Sequence, residues 1–265
     1  MKIGFIGTGN MAQHMIAGFL QKNVAPSDIL VSAHNLEKLQ AYAAPLGLTV
    51  CTTNEAVAQG ADYLFLGVKP ALIPTITKEI APFLRPEEQL ILSFATGISL
   101  DNLTQLLGPV PLVRLMPNLN VAVNLGSIAI AFGSEVDHED QQEITSFLQH
   151  LGSVYPFPED QFSTFVALAG SSPAFIYAFI DALSRTAVKY GLPKKLATTI
   201  AAEVVAGSGT LAKKSGANPW DLVDQVSSPG GSTVEGVLAL QEFGFANAIT
   251  KAMIATLEKD QQSSK

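Results

Sequence analysis

Two short stretches of this chain bring together residue types that do chemistry. Near the start, "IGFIGTGNMA" sets Gly7, Gly9 and Ala12 in a G-x-G-x-x-A pattern. Near the end, "SSPGGSTVEG", Ser227 to Gly236, follows a proline and two glycines with Ser232, Thr233 and Glu235 and holds no lysine or arginine. In the first stretch Gly7 permits a sharp turn and Gly9 lets the backbone approach a pyrophosphate. The small Ala12 lets a helix pack on the preceding strand while its first N–H groups face the anion. The run Gly7, Thr8, Gly9, Asn10, Met11, Ala12 is therefore a candidate dinucleotide site; a merely structural tight turn is the plainer reading. The second stretch reads as a glycine turn feeding a helix, with Ser232 the expected N-cap, Glu235 its capping-box partner and Thr233 the first helical residue. Free N–H groups at such a terminus, beside Ser and Thr hydroxyls, bind a carboxylate without any cation. A well-capped helix with no ligand is the alternative there.

The choice of dinucleotide turns on the end of the second strand. Asp28 lies about twenty residues past the glycines, where an acid for a ribose diol is sought, yet it precedes the strand-like "ILVSA" instead of ending it. At the strand's end stand Ser32, Ala33, His34 and Asn35, with Lys38 one turn on. Hydroxyl, amide, imidazole and ammonium groups suit a 2′-phosphate, so NADPH is expected over NADH, with NADH still admissible; His34 reads equally as a solvent-exposed turn residue. Two more loops, "GVKP" with Val68, Lys69 and Pro70, and "FATG" with Ala95, Thr96 and Gly97, end later strands, where open α/β sheets hold ligands. Lys69 there would meet a phosphate or ribose hydroxyl, or stand as an ordinary surface lysine.

The elements that must position these groups alternate. Short β-rich runs and amphipathic segments follow one another up to about Phe157, as expected of a mostly parallel sheet with helices on both faces. After "YPFPED" the spacing turns helical: Ser163 to Leu168, Pro173 to Tyr190, Lys194 to Lys214, Trp220 to Val226 and Val234 to Lys259. The expected architecture is an α/β Rossmann-type domain over residues 1–157 and an all-α domain over 158–265. Small residues in "ATTIAAEVVAGSGTLA" let helices approach closely, and so apolar a helical half points to a homodimer through it. The polar tail "KDQQSSK" is expected to be disordered.

Composition excludes several classes. With 23 acidic against 16 basic residues the net charge is −7, and no Lys/Arg cluster forms, so neither nucleic acid nor membrane surface is an expected partner. The uncharged stretches Leu115 to Ser134 and Gln161 to Ile180 read as a buried strand and a buried helix, because polar residues and proline interrupt them. The single Cys51 makes no internal disulfide, and a strand-like run directly after Lys2 leaves no export signal, so the cytoplasm is the expected compartment. His14, His34, His138 and His150 make no metal-ligand pattern.

Taken together, "IGFIGTGNMA", Asn54 in "TTNEAV", "GVKP", "FATGI", "VRLMPN", "LAGSSPAFIYAFIDAL" and "VSSPGGSTVEGVLALQ" resemble the pyrroline-5-carboxylate reductase family, in the family's order along the whole chain. The resemblance implies a Rossmann domain joined to a helical dimerisation domain that interlocks with its partner, the active site lying between the two. It implies reduction of 1-pyrroline-5-carboxylate by NAD(P)H to L-proline. Carried over by position, Gly7 to Ala12, Asn54, Val68 to Pro70 and Ala95 to Gly97 would hold the cofactor. Ser228, Gly231, Ser232 and Thr233 would hold the substrate, with the Thr233 hydroxyl near the ring nitrogen. The chain departs from the family in "MPNLN", where Leu119 and Asn120 replace Thr and Pro, in "GSSPAF" and in the Ser-Thr that ends the glycine turn. A paralogue reducing another cyclic imine and a non-catalytic NADPH-binding regulator remain open alternatives. Assembly beyond a dimer is also open. The β-hydroxyacid dehydrogenases share the layout, but no lysine here sits in their Gly-x-x-x-Asn-x-x-Lys setting.

Overall fold

Four-residue runs with no polar interruption must be covered on both faces. A computed structural model describes residues 1–263 and gathers these runs into one eight-stranded sheet. Its strands are β1 (Ile3–Ile6), β2 (Ile29–Ser32), β3 (Thr49–Val50), β4 (Tyr63–Leu66), β5 (Leu90–Ser93), β6 (Leu112–Pro117), β7 (Gly126–Phe132) and β8 (Gly152–Pro156), in the order β3-β2-β1-β4-β5-β6-β7-β8. Neighbours are parallel except β6 and β7, which run antiparallel. The order reverses between β1 and β4, so a crevice opens past their carboxyl ends.

Helices α1 (Asn10–Gln21), α2 (Leu36–Ala43), α3 (Asn54–Gly60), α4 (Ile73–Ile80), α5 (Leu100–Leu107) and α6 (His138–Leu148) cover the sheet. Strand side chains alternate between two apolar layers. Ile3, Phe5, Val31, Phe65 and Leu92 meet Met15, Phe19, Leu39 and Phe147 on one side. Ile6, Leu30, Leu64, Leu66 and Ile91 meet Val57, Ala58, Ile73, Ile80 and Leu103 on the other. Then come α7 (Phe162–Phe165), a π-helical turn over Val166–Ser171, α8 (Ser172–Lys189), α9 (Lys194–Ser215), α10 (Pro219–Val226), α11 (Ser232–Glu242) and α12 (Phe245–Ser263). Contacts divide the chain into two units, Met1–Gly170 with the residues from Leu257 onward, and Ser171–Thr256.

Three expectations need correction. The pattern predicts one helix from Val234 to Lys259, but Gly244, at φ +74°, breaks it into α11 and α12. The tail expected to be disordered is helical through Ser263, because its polar residues suit the wet side of a helix; Ser264 and Lys265 lie outside the described residues. The helix expected to be buried over Gln161 to Ile180 is buried at Phe162, Phe165 and Ala167, whereas α8 buries only Ser184 and leaves Ile176 and Tyr177 exposed. Helix α8 packs on α9, and Ile176, Tyr177 and Leu183 of its apolar surface stay exposed.

Candidate functional site

The first unit builds its site at the reversal of strand order. Gly7 ends β1 at φ +90°, and a Cβ there would lie 2.7 Å from Val68 Cγ1 and 2.8 Å from the Gly67 carbonyl oxygen, so both conformation and space demand glycine. Gly9 is different: it caps α1 at φ −73°, and a Cβ on it would meet nothing within 4 Å. Protein packing does not ask for glycine at this position; the open space over the helix start is the room a pyrophosphate needs. No side chain caps α1, so the amides of Asn10, Met11 and Ala12 keep their donors for a ligand. The loop is braced from below. Ser32 O accepts from Gly7 N at 3.0 Å and from Thr8 Oγ1 at 3.1 Å, and Gln13 Nε2 donates to Thr8 O at 3.1 Å.

Around this turn lie the other residues expected from the sequence. Ala33, His34 and Asn35 follow β2, with His34 and Asn35 exposed; Asn35 caps α2, its Oδ1 accepting from Lys38 N at 2.9 Å. Asp28 sits in a 3₁₀ turn ahead of β2, away from the strand's carboxyl end. Asn54 opens α3, where its amide is held between Ser32 and Glu79. Val68, Lys69 and Pro70 follow β4, with Lys69 exposed, and Ala95, Thr96 and Gly97 follow β5, Gly97 at φ +76°.

Reading for motifs passes over Arg114. Arg114, in β6, is 8% exposed, pairs through Nη1 with Glu159 Oε1 at 2.6 Å, and its guanidinium lies 4.7 Å from the Phe162 ring centroid. The same Glu159 oxygen accepts from Leu100 N, at the start of α5, at 2.8 Å. The pair therefore ties β6, α5 and the approach to α7 together beside a cavity of about 220 Å³ that Thr96 and Gly97 also line. A lone arginine inside an apolar strand was the available signal. Asn118, in the same "VRLMPN" run, is 5% exposed; it donates from Nδ2 to Ala169 O at 3.0 Å and accepts at Oδ1 from Ser127 N at 3.1 Å. Pro173 brings no N–H to the start of α8, which leaves a carbonyl in the preceding π turn for Asn118 to satisfy. Leu119 is partly exposed and opens a 3₁₀ turn with Asn120.

The second unit places the glycine turn at the start of α11. Gly231 N donates to Ser228 O at 2.9 Å across Pro229 and Gly230, and Gly230 has φ +72°, as a type II turn requires. The expected cap is corrected here: Gly231, not Ser232, is the N-cap, Ser232 is the first helical residue, and no side chain caps the helix. The turn delivers Gly231 in extended conformation at φ −82° and ψ 164°, which moves the Ser232 hydroxyl one place too far along to close a capping box with Glu235. The result is a helix start whose first amides have no side-chain partner, flanked by the exposed hydroxyls of Ser228, Ser232 and Thr233. The Ser227 hydroxyl just before the turn is buried with no hydrogen-bond partner.

Both halves of the chain match known families. Residues 159–263 match the family model described as pyrroline-5-carboxylate reductase dimerisation. Residues 2–97 match the one described as NADP oxidoreductase coenzyme F420-dependent. The pyrroline-5-carboxylate reductase of Escherichia coli K12 is 35% identical over 266 residues, 100% of this chain and 98% of that protein. The crystal structure of the Streptococcus pyogenes enzyme of that name superposes with a TM-score of 0.87 at 35% identity, covering 99% of this chain and 98% of the other. The Plasmodium falciparum pyrroline carboxylate reductase, solved with NADP bound, gives 0.86 at 25% identity over 100% of this chain and 98% of that one.

Proposed function

The chain belongs to the pyrroline-5-carboxylate reductase family, and from that premise we propose how its residues divide the work. It is an NAD(P)H-dependent oxidoreductase acting on a C=N bond, converting 1-pyrroline-5-carboxylate to L-proline in the last step of proline biosynthesis. NADPH, when bound, supplies the hydride that goes to the imine carbon while the ring nitrogen carries the proton.

In the proposed division, the turn Gly7 to Ala12 takes the pyrophosphate, and Val68 to Pro70 with Ala95 to Gly97 flank the rest of the cofactor. Asn54 and the loop Ala33 to Asn35 take its adenosine end, where the exposed His34 and Lys38 favour a 2′-phosphate. Ser228, Gly231, Ser232 and Thr233 take the substrate. The observation that carries this reading is the uncapped start of α11 in a stretch free of cations: main-chain donors and the helix dipole favour a carboxylate there. Thr233 Oγ1 holds a hydrogen bond to the ring nitrogen and so keeps the proton in place while the helix start fixes the ring's orientation.

The functional boundary falls at residues 157/158. The protein is a homodimer through the helical half, and the exposed apolar residues Ile200, Val204, Leu211, Leu238 and Phe243 supply its contact surface. Glu159–Lys189 has the length and mean hydropathy, 1.5, of a membrane span. We read that apolarity as dimer interface, and the enzyme as cytoplasmic.

Steady-state kinetics with five- and six-membered cyclic imino acids and with both cofactors test the assignment. Pyrroline-5-carboxylate with NADPH is expected to give the highest kcat/KM. Thr233→Ala should lower that value by about 10- to 100-fold. Unchanged kinetics in a folded Thr233→Ala protein would remove this residue from the mechanism, and NADPH binding without turnover of any imine would contradict the activity.

A further inference from the structure

We propose that Glu79, on α4, is a positioning residue for the cofactor, acting by fixing the rotation of the Asn54 amide. The proposal rests on the reading of Asn54 as a cofactor residue. Asn54 Nδ2 donates to both Glu79 oxygens at 3.1 Å, and Asn54 Oδ1 accepts from Ser32 Oγ at 2.8 Å. A carboxamide has two flips of nearly equal shape, and the Ser32 hydroxyl fits either, since it both donates and accepts. Only an ionised carboxylate, which accepts and never donates, discriminates between them. Glu79 draws the NH₂ group to itself, so the Asn54 carbonyl faces Ser32 and the Ser32 hydroxyl must donate.

Ser32 is 2% exposed, which leaves it no water as a substitute partner. Through its backbone oxygen Ser32 also holds Gly7 N and Thr8 Oγ1. A single charge on α4 therefore sets the direction of the Asn54–Ser32 hydrogen bond, at a residue whose main-chain oxygen separately braces the glycine turn. Ile73, Thr77 and Ile80 on the same helix are buried, so its backbone is pinned while Glu79 itself stays half-buried. An amide held in one orientation before the cofactor arrives spares the complex the cost of ordering it.

The test measures NADPH dissociation by fluorescence titration, together with kcat and both KM values, for the wild type, E79L, E79Q, E79K, N54A, S32A and E79L/S32A. N54A should weaken NADPH by roughly 10-fold and E79L by roughly 3- to 10-fold, about the worth of one hydrogen bond. In E79L, kcat and the KM for pyrroline-5-carboxylate should stay at wild-type values. E79Q, whose amide can accept or donate, no longer selects one flip and should fall between wild type and E79L. E79K, a donor only, demands the opposite flip and should bind more weakly than E79L. E79L/S32A should be no weaker than the poorer single variant, because both act through the same amide. If E79L does not fold, the expected order, wild type tighter than E79Q and E79Q tighter than E79K, carries the same decision. E79K and E79L within twofold of wild type while N54A is weak would overturn the role of Glu79 alone, as would full additivity of E79L and S32A. Wild-type affinity in N54A would overturn the Asn54 reading and the proposal with it.

Discussion

The two glycines of the first motif should fail in opposite ways when given a methyl group. Gly7→Ala places a Cβ 2.7 Å from Val68 Cγ1 and 2.8 Å from a backbone oxygen, at φ +90°. The left-handed strain costs about 1–2 kcal/mol and the overpacking about 1–3 kcal/mol more, so the fold should lose roughly 2–5 kcal/mol. Gly9→Ala meets no protein atom within 4 Å and keeps an allowed φ of −73°. An alanine cap in place of glycine loses roughly 0.5–1 kcal/mol, which the stiffer unfolded chain offsets by about 0.4–1 kcal/mol, so stability should barely move. The new methyl, however, occupies the space over the amides of α1. Losing one charge-assisted hydrogen bond of about 1.5–3 kcal/mol raises the NADPH Kd roughly 10- to 150-fold. Thermal unfolding followed by circular dichroism reads the first quantity, and fluorescence titration with NADPH reads the second. A Gly9→Ala protein that binds NADPH within threefold of wild type would show that the open space above Gly9 is not where the pyrophosphate lies.

Three further outcomes follow from the geometry. Gly230→Ala should raise the KM for pyrroline-5-carboxylate about 5- to 30-fold, from about 1–2 kcal/mol of backbone strain at φ +72°; Gly216→Ala, equally left-handed and open, serves as the control whose KM should not change. Glu159→Ala leaves Arg114 without its 2.6 Å partner and should cost about 3 kcal/mol in urea unfolding, and replacing both residues by apolar ones should recover most of it. Hydrogen bonds from Arg185 and Lys194 hold the exposed Asp181 carboxyl below the usual carboxylate range. Its contribution is therefore present above about pH 4 and is lost as pH falls through the lowered value; Asp181→Asn should flatten the acid limb of the stability curve, and an unchanged limb would show that these contacts add nothing.

Much of the sheet was legible because parallel strands buried on both faces leave uninterrupted apolar runs, as in "YLFL" and "ILVS". Less legible were elements whose sequence is mixed. Helix α6, "HEDQQEITSFL", buries only Ile144, Phe147 and Leu148, and β8 is mostly half-exposed, so neither announces itself by pattern. Gly244 reads as one more residue of a long helix, since an isolated glycine in a helical pattern does not declare a left-handed conformation. The single-chain burial of α8 was overestimated for a different reason. Apolar periodicity records that a face will be covered, and it does not record whether the same chain covers it.

The two candidate half-sites were legible to different depths for one physical reason. Both are made of main-chain amides, and an amide leaves no trace in the sequence except through the residues that permit it to stand bare. In the first motif the permitting residues are Gly7 and Gly9, whose roles follow directly from turn and approach, and the structure separates them cleanly by what a Cβ would strike. In the second, a capping box between Ser232 and Glu235 is expected beside the free N–H groups assigned to a carboxylate, and the well-capped helix with no ligand is the alternative. The positive φ of Gly230 shifts the cap to Gly231 and undoes that closure. A capping box would have satisfied the donors that a carboxylate needs, so the same residues support a binding site only in the register that the turn dictates. The partners of Arg114, Glu159 and Glu79 were illegible because they lie 45, 45 and 25 residues away, and the spacing of residue types along a strand or helix does not encode who meets whom in the fold.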